Sequence, residues 1–211
     1  MSKFMLITAL ILFVSASVIG QRYIFSLHGM ILEGHGPGET VTGNGYGVYN
    51  YEGLLAALRK EKFTVITEYR KRNTDVKEYA AKVVRQVDSL LHKGVQPGNI
   101  TVLGASKGAL IAMNVSSLLK NEKVNFIFLS SCNEGTFSAN PDLDFCGNIL
   151  SVYETSDEMG HSCINFKEHS RLPIPHYKEI PLSTGLKHGY FYQPLPIWLN
   201  PVIAWAKGNY K

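Results

Sequence analysis

Three side chains far apart in the sequence, Ser106, Asp157 and His188, have the types and settings that acyl transfer requires. Ser106 sits in GASKG, with Gly104 and Gly108 two residues away on either side. An apolar strand-like run, TVLG, leads into the motif, and a helix-forming run follows it. A strand that reverses directly into a helix strains the residue at the turn and tolerates no bulk beside it. The plainer reading is an ordinary serine in a glycine-rich turn. A serine hydroxyl becomes a useful nucleophile only when a base takes its proton. Of the seven histidines, His188 alone follows the last expected strand, in STGLKHGYF. The imidazolium formed in such a step needs a carboxylate to orient and stabilise it. YETSDE offers Asp157 at the turn after a strand, with Glu158 as the nearest substitute and Glu154 still inside the strand. The developing oxyanion calls for fixed donors. The backbone N–H of Lys107, directly after the serine, is one, and the N–H of Met30 in LHGM is the other. Gly29 keeps that loop close to the site. The Lys107 ammonium reads as a solvated group pointing away rather than as a base for Ser106.

Elements able to hold these groups together recur along the chain. Strand patterns cover 22–29, 63–69, 99–104, 124–131, 148–155 and 178–184, several of them apolar on both faces. Asn50 can cap a helix carrying Leu54, Leu55 and Leu58. Asp75 and Glu78 form a capping-box pattern ahead of a helix that ends at Gly94. A further helix runs from the serine to about residue 120, and a last one is expected with Asn200 as N-cap, Pro201 at its first position and Gly208 after it. Strands alternating with helices imply a three-layer α/β/α sandwich around a mostly parallel sheet. Sites in such sheets form at the carboxyl ends of strands. Residues 21–211 read as one domain, without internal repeat or linker.

The 211 residues are 45% hydrophobic and 18% charged, which excludes wholesale disorder. The net charge of +4 is spread out, and its densest run, EYRKRN (68–73), reads as a solvated loop. No basic stripe interleaved with aromatics supports nucleic-acid binding. MSKFMLITALILFVSASVIG has the layout of a secretory signal peptide, with cleavage after Ala16 or Gly20; an uncleaved anchor and a buried first strand are its rivals. A secreted or periplasmic protein with no stable membrane span after leader removal follows from the first reading. Export permits one disulfide among Cys132, Cys146 and Cys163, and spacing leaves the pair open, although a Cys132–Cys163 bridge would shape the rim of the site. Asn99 and Asn114 each begin a glycosylation sequon, the second on a packed helix. GNGYG lacks the lysine-serine ending of a phosphate loop, and His161, Cys163, His169 and His176 are too irregularly spaced for a metal site. Neither metal nor cofactor is called for. Tyr190, Phe191, Tyr192 and Trp198 read first as core or rim packing; lining a pocket, they would suit an apolar acyl or aromatic group.

LHG after the first strand, GASKG at the turn, YETSD before the acid and LKHG at the end together resemble the α/β-hydrolase superfamily over nearly the whole mature region. The order serine, acid, histidine is the one that superfamily uses. The resemblance implies a minimal, lidless hydrolase, similar in scale to small esterases and thioesterases. Two leading strands of larger members are missing, and 131–147 is too short for a lid domain. It further implies a serine hydrolase acting on a small acyl ester or thioester through Ser106, His188 and Asp157. A non-catalytic binding protein on the same scaffold is the alternative, since some members of the superfamily have lost catalysis.

Overall fold

Six strands of the computed structural model, which describes residues 20–211, form one parallel sheet. All but the last residue of the expected leader lie outside the described residues. In chain order the strands are β1 (Tyr23–Leu27), a two-stranded antiparallel ribbon of β2 (Thr42–Gly43) and β3 (Gly47–Val48), then β4 (Thr64–Thr67), β5 (Ile100–Ala105), β6 (Asn125–Leu129), β7 (Asn148–Glu154) and β8 (Tyr177–Leu182). The sheet order is β4-β1-β5-β6-β7-β8. The helices are α1 (Tyr51–Lys60), α2 (Val76–His92), α3 (Lys107–Leu119), α4 (Glu134–Ala139), α5 (Ile164–His169) and α6 (Pro196–Ala206).

β5 and β6 are buried along their whole length, so alternate side chains serve opposite cores. Ile24, Leu103, Ile127 and Leu150 share one core with Leu55 of α1 and with Trp198 and Trp205 of α6. Phe25, Val102, Phe126 and Ile149 share the other with Val83 and Val87 of α2 and Ile111 of α3. From β1 the chain steps outward to β4 and then back across to β5, which makes the β1/β5 boundary a topological switch point. Register carries this to the site: Leu27 pairs with Gly104, Ala105 with Leu129, and Glu154 with Leu182. The loops after β1, β5, β7 and β8 therefore emerge along one edge.

Local chemistry explains most helix starts. Asn50 accepts from the Gly53 N–H at 2.9 Å, and Asp75 from the Glu78 N–H at 2.8 Å. Only this half of the expected capping box forms. The last helix corrects the sequence reading: it begins at Pro196, and Pro201 lies inside it. An interior proline costs the bond to the carbonyl four residues back. That carbonyl belongs to Ile197, an exposed residue, while Trp198, Leu199, Val202, Trp205 and Ala206 pin one face into the core. α4 and α5, six residues each, were too short for periodicity to reveal. The glycine-rich loop holds the small β2–β3 ribbon. Among the described residues no helix is long and apolar enough to cross a membrane.

α3 meets the sheet backbone to backbone. A Cβ on Gly108 would stand 1.9 Å from the Leu27 carbonyl oxygen, and one on Gly104 would stand 2.2 Å from the Gly108 carbonyl oxygen. Neither contact is with a side chain that can swing away. Gly108→Ala is therefore expected to lower the unfolding free energy by roughly 2–4 kcal/mol, read as a shift in urea midpoint at constant slope.

Candidate active site

The tight packing of α3 leaves Ser106 at φ 52° and ψ −123°, a conformation L-residues seldom adopt. Its N–H is held by the Leu129 carbonyl at 2.8 Å, and its own carbonyl accepts the first helical bonds from Ala109 and Leu110. Strain at this position is thus secured on both sides, and the half-buried hydroxyl stands clear of the sheet edge.

His188 lies in a 3-10 turn (Lys187–Tyr192) after β8. Its Nε2 is 3.0 Å from Ser106 Oγ, and its Nδ1 is 2.8 Å from Asp157 Oδ2. A carboxylate only accepts, so the neutral ring carries its proton on Nδ1 and offers Nε2 as acceptor to the serine hydroxyl. Glu158, the substitute acid, is exposed at the next position. Burial pushes the Asp157 carboxyl up, but donors from His188, Ser130 and the Met159 N–H outweigh it and hold the group below the usual carboxylate range.

Two residues that sequence reasoning did not place here support these groups. Ser130, after β6, donates to Asp157 Oδ2 from a backbone with φ 54°. Gly160 makes room for it, since a Cβ there would stand 2.5 Å from Ser130 Cα. Glu154, fully buried, accepts from the Thr184 N–H at 2.9 Å and the Thr184 hydroxyl at 2.7 Å, tying the start of the His188 loop to β7. Cys132 and Cys163 are bridged, with Cα atoms 5.1 Å apart, and Cys146 is free and buried. With the His161 N–H bonded to the Cys132 carbonyl at 2.6 Å, the bridge closes both ends of the segment around Asp157. No three His, Cys, Asp or Glu side chains converge as a metal site among the described residues.

A pocket of about 160 Å³ opens at Ser106, walled by Met30, Ile31, Tyr46, Met159, Phe191 and Tyr192. Phe191 and Tyr192 thus line it, whereas Tyr190 and Trp198 are fully buried, Tyr190 bonding the Val152 carbonyl at 2.6 Å. Tyr46, from the tip of the ribbon, stands 6.0 Å from the His188 ring, centroid to centroid. Gly29 brings the loop after β1 against the serine: its Cβ position lies 3.6 Å from Ser106 Cβ. Met30 and Lys107 are the first residues of their helical turns, Met30–Leu32 and α3, where an N–H has no intrahelical acceptor.

Two charged residues depart from the sequence reading. Arg70, in the run read as solvated, is 1% exposed, and the Lys107 side chain is mostly buried. Both reach Glu33: Arg70 Nε at 3.3 Å and Lys107 Nζ at 2.8 Å. The carboxylate compensates the desolvation that burial exacts from the guanidinium. Arg70 also donates to the His28 carbonyl, and its N–H donates to His28 Nε2 at 3.0 Å. His28 Nδ1 in turn donates to the Gly29 carbonyl at 2.7 Å. Burial and the neighbouring Arg70 lower the His28 pKa to about 4.

No family model matches the chain, and no curated protein does. Solved structures match its fold. SOBER1 of Arabidopsis thaliana aligns with a TM-score of 0.56 at 15% identity, covering 91% of this chain and 100% of its own. The monoacylglycerol lipase of Paleococcus ferrophilus aligns at 0.60 and 11%, covering 90% and 96%. An arylesterase aligns at 0.59 and 14%, covering 91% and 77%. With the sheet order and the turn at Ser106, these likenesses define the fold as that of a small α/β hydrolase.

His28 makes stability depend on pH. Its folded pKa of about 4 lies below the unfolded value of 6.5, so the unfolded chain binds more protons between them. Stability is complete above that window and lost as pH falls through it, by roughly 3 kcal/mol from this residue. His28→Asn, which keeps a donor toward Gly29, is expected to flatten the difference between urea unfolding at pH 7 and at pH 4.5.

Proposed function

We propose that this protein is a serine hydrolase of small carboxylic esters or thioesters, working through an acyl-enzyme. The observation that carries the proposal is the relay Ser106 Oγ, His188 Nε2 at 3.0 Å, His188 Nδ1, Asp157 Oδ2 at 2.8 Å, built on a serine in strained backbone at the mouth of a pocket. Ser106 Oγ attacks the carbonyl carbon while His188 Nε2 takes its proton. Asp157 holds the ring and stabilises the imidazolium. The N–H groups of Met30 and Lys107 receive the oxyanion. As the carbonyl re-forms, the bond to the leaving alcohol or thiol breaks and His188 returns the proton to it. Water then repeats the sequence on the acyl-serine and frees the acid. An engineered cavity of about 150 Å³ holds benzene, so the present pocket suits an acyl group of about that bulk. The esterase and lipase named among the structural matches fit this chemistry.

Export of the protein belongs to the same proposal. It rests on the leader-like layout of residues 1–20 and on the buried Cys132–Cys163 bridge, which suits an oxidising compartment. N-terminal sequencing of protein from a secreting host is expected to start after residue 16 or 20; a chain beginning at Met1 would overturn removal of the leader, and a chain found only inside the host cell would overturn export.

A fluorophosphonate probe is expected to label the folded protein, and Ser106→Ala to abolish labelling. Asp157→Asn should cut kcat by on the order of 10³–10⁴-fold, because the ring loses its orienting acceptor. His188 serves as base only when neutral, so kcat/KM should fall toward acid pH. Folded protein that neither labels nor turns over p-nitrophenyl esters would defeat the proposal.

A further inference from the structure

The cluster formed by Glu33, Lys107 and Arg70 has no part in the relay, yet it joins the two segments that carry the oxyanion donors. Glu33 follows Met30 by three residues, and its N–H closes the short turn on the Met30 carbonyl at 2.9 Å. Its carboxylate, with a side chain only 3% exposed, meets the ammonium of Lys107, the residue after the nucleophile. The same carboxylate meets Arg70, whose side chain is 0% exposed and which bonds the carbonyl and ring of His28, the residue before Gly29. One buried anion therefore spans from the loop after β1 to the first residue of α3.

From this geometry we propose that Glu33 is a positioning residue for the oxyanion hole, fixing the separation of the Met30 and Lys107 N–H groups through its bonds to Lys107 and Arg70. The proposal rests on the hydrolase reading above. Two arrangements make the role specific. Lys107 is tied by its side chain on one side and by the strained turn at Ser106 on the other, so its amide has little freedom. The loop of Met30 is held at three points: the His28 carbonyl by Arg70, the Gly29 carbonyl by the His28 ring, and the Glu33 carboxylate by Arg70. Met30 itself is 64% exposed, so packing of its side chain does not hold the loop. A buried ion pair adds little net stability, whereas misplacing a preorganised donor by a fraction of an ångström weakens transition-state binding.

The test compares wild type with Glu33→Gln, which keeps shape and loses charge, and with Lys107→Met, which keeps the aliphatic stem and is the safer fold. Removing a whole oxyanion donor costs about 10²–10³ in kcat, so loosening the pair is expected to cost about tenfold in each variant. KM for a p-nitrophenyl ester should stay within about twofold, and the Ki of a trifluoromethyl ketone, whose serine adduct carries an oxyanion, should rise about tenfold as well. The double variant should lose no more than Glu33→Gln alone, since the Glu33–Lys107 ion pair is already lost there. Unchanged kcat and ketone affinity in a folded Lys107→Met variant would overturn the proposal, whatever its melting temperature. So would equal rises in KM and in ketone Ki, which mark general loosening of the pocket. A wild type that fails to label or turn over defeats the hydrolase reading; an active wild type with undiminished variants defeats this inference alone.

Discussion

Where β5 becomes α3 there is no loop, and the first turn of the helix lies directly on the backbone of β1. Everything else at this edge of the molecule follows from that close approach. Glycine at 104 and 108 is what lets carbonyls and Cα atoms come within distances a Cβ would occupy. Ser106 absorbs the geometric remainder in its own φ and ψ, and the parallel register on either side holds it there. A strained residue persists only when its surroundings over-determine it, and here two strands and a helix do so.

Around the serine the site is assembled from ionisable groups removed from water, each with named partners. Asp157 is shared among His188, Ser130 and the Met159 N–H, and Glu154 is given over to Thr184. Glu33 faces two cations, while His28 stays neutral between the Arg70 N–H and the Gly29 carbonyl. Three of the four groups are carboxylates doing three different jobs. One orients a ring, one ties down the loop that carries it, and one braces the opposite wall. Under the proposed hydrolase chemistry, fixed dipoles and charges of this kind need not reorganise as charge develops on a substrate.

The sequence made the skeleton of this arrangement legible because its signals are local. Apolar runs of strand length, the Asn50 and Asp75 caps, and glycines two residues either side of Ser106 act over a few positions. The order of Ser106, Asp157 and His188 at strand ends needed only the alternation of elements, and the fold brings the three within hydrogen-bond distance. What escaped notice depends on partners distant in the chain. Arg70 looked solvated because Glu33 lies 37 positions away. Lys107 looked free for the same reason. Ser130 carried no signal, being one of two serines at the end of an ordinary strand. The start of α6 was misjudged because a local rule, proline at the first helical turn, was satisfied at Pro201 as well as at Pro196. The tryptophans at 198 and 205 decided between them only once the core was formed.

The cystine has a consequence for the molecule's fate among proteases. Between Cys132 and Cys163 the chain makes an excursion over the surface, where Glu134, Gly135, Ser138, Ala139, Pro141 and Asp142 are exposed. A single cut there yields one fragment bearing Ser106 and another bearing both Asp157 and His188. The sulfur link and the adjacent pairing of β6 with β7 keep the two pieces together. An endoprotease can thus sever the backbone in this exposed excursion without dispersing the groups that meet at the strand ends.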